Sequence, residues 1–85
     1  MWDPSLYILI KKLVEAGKTV EIFINTTSVT AIASGILLHR KCVENNMNVE
    51  LDCAEETKHY KEKTTAELLE LIPDETLRRL HAQFY

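Results

Sequence analysis

The sequence has few residues that break regular structure, with two glycines and two prolines among 85 positions. That excludes a collagen-like chain and a flexible linker. At 46% hydrophobic and 27% charged residues it is too apolar for a disordered segment. Two cysteines are too few for a disulfide scaffold. Cys42 and Cys53 also lack the paired Cys-x2–4-Cys spacing of a structural zinc site, and adding His59 does not supply it. Positive charge is not in excess: the net charge is −3 and the pI about 5.5. That weighs against a general nucleic-acid binder and leaves only a local basic patch. No apolar run nears the roughly 20 residues of a membrane span. The N-terminal run Leu6–Ile10 stops at Lys11-Lys12, and Asp3 stands where a secretory signal carries positive charge. These absences lead us to expect a soluble, intracellular protein with reduced thiols. No phosphate loop, nucleotide fingerprint or nucleophile motif is present, so no cofactor, no metal and no catalytic residue is expected.

What is present is periodic. Eighty-five residues make one domain, and a chain of this size buries only roughly 60–65% of its unfolded surface. Residues 3–17 read as a helix. Asp3 suits the cap, Pro4 the first helical position and Gly17 the position past the end. Leu6, Leu9, Ile10, Leu13 and Val14 share one face of it. In residues 18–25, Val20, Ile22 and Ile24 alternate with Thr19, Glu21, Phe23 and Asn25, the period of a strand. A polar turn follows at Asn25–Ser28.

The stretch from Val29 to Asn45 has two readings. It is either a long strand bent at Gly35 or a buried helix capped by Ser28 and ending near Asn45-Asn46. Val, Thr and Ile are mediocre helix formers and Gly35 costs a helix about 1 kcal/mol, which favours the strand. Beyond it, Met47, Val49, Leu51 and Cys53 alternate with Asn48, Glu50 and Asp52, as in a half-buried strand with one wet, acidic face. After a charged run, Thr64 and Glu67 form a capping-box pattern before Leu68, Leu69, Leu71 and Ile72. Pro73 ends that element, and Asp74 suits the cap of a final helix over residues 75–84.

Residues 43–56, Val-Glu-Asn-Asn-Met-Asn-Val-Glu-Leu-Asp-Cys-Ala-Glu-Glu, resemble the first signature of the Sm/LSm family. Glu44 stands where that family usually has Asp, and Met47-Asn48 as its Met-Asn. Gly35-Ile36-Leu37 resembles the Gly-x-Leu of the family's bent second strand. Asp3-Pro4-Ser5-Leu6 resembles the helix start of the bacterial Hfq branch. The resemblance spans about residues 3–56. The second signature, Ile-Arg-Gly, has no counterpart, and the chain is longer on both sides of Gly35 than the family's pattern.

The resemblance implies an α+β fold: an N-terminal helix, then a small, strongly bent antiparallel Sm-like sheet or barrel, then a C-terminal helix. The single domain would span residues 1–85, with its core in 3–72 and a helical extension in 74–85. It implies self-association into a ring, or pairing with a related Sm-like protein, through exposed strand edges. It also implies binding of single-stranded U-rich RNA or scaffolding of a ribonucleoprotein. Carried over, Asn48 would hydrogen-bond a base and Asn46 would take the stacking position, with Arg40 and Lys41 as phosphate contacts. Asn46 is not aromatic, so stacking would be weak.

The residues also support a second architecture. With Ser28–Asn45 helical, the order becomes helix, strand, helix, strand, helices. Such an α/β module suits a small adaptor or inhibitor, acting as a dimer. Its acidic residues Glu44, Glu50 and Asp52, with Glu55 and Glu56, would meet a basic partner.

Overall fold

The computed structural model describes residues 4–75 together with 78 and 79. The order is α1 (Pro4–Glu15), β1 (Val20–Ile24), α2 (Val29–Glu44), β2 (Val49–Cys53), a 3-10 segment (Glu55–Glu62) and α3 (Thr65–Glu70). Among the described residues the sheet has two strands, and they run parallel. Val20 sits opposite Val49, Ile22 opposite Leu51 and Ile24 opposite Cys53. This corrects the expectation of a strongly bent antiparallel Sm-like sheet. Two parallel strands joined through a helix form one βαβ crossover. The capping role of Asp3 and most of the expected helix over residues 75–84 lie outside the described residues.

The correction originates in α2. Residues 29–44 are helical, not strand. Ser28 caps the helix, its hydroxyl accepting from the Ala31 N–H at 3.3 Å. Ile32, Ala33, Ser34, Ile36, Leu37, Leu38 and Cys42 are all buried. They span nearly the whole circumference of the helix, as in a helix packed on several sides. The sheet lies under α2, α1 packs against α2 and β1, and the 3-10 segment and α3 also pack on α2. Burial of that many side chains outweighs a few tenths of a kcal/mol per residue of poor helix propensity.

Gly35 has a different purpose from a strand bend. A Cβ there would fall 2.8 Å from Ile24 Cδ1 and 3.0 Å from Cγ1, so its absence lets α2 approach β1 closely.

Both long helices stop by the same device. Gly17, at φ +79°, ends α1: its N–H donates to Val14 O and that of Lys18 to Leu13 O, each at 3.0 Å. Asn46, at φ 60°, ends α2: its N–H donates to Val43 O and that of Met47 to Cys42 O, each at 3.0 Å. These are Schellman pairs. The capping box of α3 is present: Thr64 N–H donates to Glu67 Oε1 at 2.9 Å and Glu67 N–H to Thr64 Oγ1 at 3.1 Å. It starts the short helix that delivers Leu68, fully buried, with Ile72 just beyond its end. The resemblance would need its last two strands from residues 57–64 and 67–72, but most of these residues are helical: 57–62 in the 3-10 segment and 67–70 in α3.

Candidate functional site

The two strands present very different faces. Val20, Ile22, Ile24, Val49, Leu51 and Cys53 belong to the core or pack against it. Their neighbours Glu21, Phe23, Glu50 and Asp52 are exposed. Register places Glu21 opposite Glu50 and Phe23 opposite Asp52. Three carboxylates and one ring, 58% exposed, thus share a bare patch on strands about 4.8 Å apart. Like charges directly opposite one another destabilise a sheet by a few tenths of a kcal/mol up to about 1. No ion pair among the described residues engages these carboxylates. The ion pairs there are Lys58–Glu55 at 3.1 Å and Arg79–Glu75 at 3.2 Å, and neither involves the patch.

The backbone of the two strand edges can be accounted for. Ala54 N–H donates to Ile24 O at 3.3 Å, which sets the phase of the parallel ladder. In that phase Val20, Ile22 and Ile24 turn their N–H and C=O groups toward β2. Glu21 and Phe23 then turn theirs outward. On β2 the outward residues are Val49, Leu51 and Cys53. The β2 edge is partly closed: Val49 N–H donates to Met47 O at 3.1 Å, and His39 Nε2 lies 2.9 Å from Val49 O. A carbonyl only accepts, so Nε2 is the donor in this bond. The outward groups of Glu21 and Phe23 on β1 have no hydrogen-bond partner among the described residues.

Of the residues expected to contact RNA, two lie in one loop and two near the end of α2. Asn46 and Asn48 are exposed in the loop between α2 and β2, at the N-terminal end of the strands, and Asn46 acts as the helix stop. Arg40 is engaged with the protein itself. Its guanidinium donates to the carbonyls of Lys61 (3.2 Å) and Lys63 and to Thr65 Oγ1 (3.3 Å), tying the 3-10 segment and the start of α3 to α2. Lys41 is half-buried near the end of α2.

Of the acidic residues expected to meet a protein, Glu50 and Asp52 lie on the bare patch. Glu44 lines a different groove, of about 390 Å³, with Ile36, His39, Val43, Leu51 and Lys61. Glu21 and Phe23 were not singled out by sequence. Their alternation with Val20, Ile22 and Ile24 was legible, but their neighbours depend on parallel pairing.

Burial pushes the thiols of Cys42 and Cys53 above their ordinary pKa, and both are free. Burial, and after it the neighbouring Cys42, raises the Tyr7 hydroxyl. These groups behave as core side chains, not as activated nucleophiles. Among the described residues no three His, Cys, Asp or Glu side chains come together as a metal site. No described helix is long and apolar enough to cross a membrane. Compared with known proteins, the chain matches no family model, no curated protein and no solved structure.

Proposed function

We propose that this chain is a protein-binding module whose working surface is the bare face of its sheet, and that its partner is cationic around an apolar contact. The carrying observation is the in-register set Glu21–Glu50 and Phe23–Asp52 on a sheet face that no element of the described fold covers. Parallel sheets are ordinarily covered on both faces, so a bare one is unfinished as a structure and available as a surface. An exposed ring within a polar, charged rim has the make-up of an interface centre. Lysine or arginine from a partner would relieve the Glu21–Glu50 repulsion and steer the encounter. The same charges argue against self-association through this face, since two copies would oppose six carboxylates.

Photocrosslinking tests the proposal. Phe23 is replaced by a photoreactive phenylalanine analogue in the full chain, and cells that make the protein are irradiated. Discrete protein adducts are expected from position 23 and not from Val43, an exposed apolar position away from the face. Changing Glu21, Glu50 and Asp52 together to Lys should abolish them while circular dichroism is unchanged. Adducts that survive the charge reversal, or that form equally from both positions, would refute the reading.

A further inference from the structure

The exposed face is not the only unfinished part of the molecule. Leu6, Leu9 and Leu13 of α1 fall at i, i+3 and i+7, one stripe of the helix. Their exposures are 38, 52 and 37%. Ile10, Tyr7 and Val14, on the adjoining stripe, carry the contact with the core. The apolar arc of α1 is therefore wider than the surface it covers. Of this stripe, Leu6 stands beside β1. Leu6 lines an apolar groove of about 310 Å³ with Phe23, Asn25, Ala31, Gly35 and Leu38. The unpaired backbone groups of Glu21 and Phe23 lie on that same side.

We infer that the β1 edge takes a third strand from the partner, an extended segment that alternates apolar and cationic side chains. This rests on the protein-binding reading and specifies how the partner engages. Backbone pairing would satisfy Glu21 and Phe23. Alternate side chains of an added strand point to opposite sheet faces. Those on the helix side would cover Leu6 and the groove. Those on the bare side would stand beside Glu21 and Phe23, where cations complement the carboxylates.

A second copy does not fit this place. Its own β1 carries α2 above it. Helices pack about 8–10 Å apart and strands about 4.8 Å apart. Pairing two β1 edges would bring the copy's α2 into the space of α1. A lone extended segment brings no helix with it.

A capped heptapeptide alternating valine and lysine is the probe, with a valine–glutamate version as its counterpart. Titration into the isotopically labelled full chain, followed by NMR, should give saturable binding of the lysine peptide only. The Glu21 and Phe23 amides should shift and gain protection from exchange. Glu21→Pro removes one outward N–H and no bond to β2, the setting in which an edge strand tolerates proline. It should weaken binding about tenfold or more. Leu6→Lys, on the helix wall of the groove, should do the same and serves as the test if Glu21→Pro misfolds.

Lysine-peptide binding that withstands both substitutions but is lost on charge reversal of Glu50 and Asp52 overturns the added strand and leaves the face reading standing. No binding of the lysine peptide by the native chain overturns the added strand, while the crosslinking experiment decides the face separately. A concentration-dependent doubling of native mass, abolished by Glu21→Pro, means that a second copy holds the edge and also overturns the inference.

Discussion

Replacing Arg40 by alanine is expected to loosen the C-terminal third of the described fold, because this one side chain holds three acceptors there. Nη1 donates to Thr65 Oγ1 at 3.3 Å, and Nη2 to the carbonyls of Lys61, at 3.2 Å, and Lys63. A hydrogen bond from a charged donor contributes about 1.5–3 kcal/mol when shielded. The bonds to Thr65 and Lys61 are exposed, the one to Lys63 part-buried. Exposure lowers the first two to about 0.5 kcal/mol each, partial burial leaves the third at about 1–2, and the sum comes to about 2–3 kcal/mol. A domain of this size has about 4–13 kcal/mol in total. With a urea slope near 1 kcal/mol/M for so small a protein, the unfolding midpoint should fall by about 2–3 M. Arg40→Lys should lose most of the same stability, since one ammonium does not span three acceptors fixed in a fork. Hydrogen exchange should accelerate first at Leu68–Ile72, whose side chains dock on the core only if the 3-10 segment is in place. A midpoint within about 0.5 M of the native protein for Arg40→Ala, or full stability in Arg40→Lys, would refute this account.

Other expectations follow from the packing and the caps. Gly35→Ala gains up to about 1 kcal/mol of helix propensity and incurs about 1–3 kcal/mol of overpacking against Ile24, so it should lower the melting temperature. Adding Ile24→Val removes Cδ1, the atom the new Cβ would meet at 2.8 Å, and should restore much of the loss; no recovery would show that the contact is not the cause. Hydrogen bonds from the Thr64 backbone and side chain hold the Glu67 carboxyl below its ordinary value of 4.5. A carboxyl lowered in the folded state contributes stability that is present above its unfolded pKa and is lost as pH falls from about 4.5 through the folded value. Glu67→Gln, which removes the titrating carboxyl, should flatten that acid limb in urea titrations at successive pH values, and an unchanged limb would count against Glu67 as its origin. Burial raises both thiols, so Cys42 and Cys53 should react slowly with a disulfide reagent at pH 7 and quickly in urea. Rapid stoichiometric reaction of the folded protein would contradict the buried core drawn here.

Some features of this protein are local and were legible in sequence. Gly17 after α1, the alternation of Val20, Ile22 and Ile24, the alternation of Val49, Leu51 and Cys53, and the Thr64–Glu67 capping box all work within a few residues. Their physics is that of periodicity and of single hydrogen bonds, which a linear sequence displays. The path of residues 29–44 was not decided in that way. Its composition suits a strand, and it is a helix because packing on several sides rewards nearly every face of it. That choice separates two parallel strands from the antiparallel, strongly bent sheet that the Met47-Asn48 stretch suggested.

The candidate site divides along the same line. That Glu50 and Asp52 share a wet face follows from the two-residue period alone. That Glu21 stands opposite Glu50, that Phe23 is left bare beside Asp52, and that Leu6 of α1 shares a groove with Phe23 depend on register and crossover. Those are relations between segments far apart in the chain, set by how α2 packs, and no local pattern contains them.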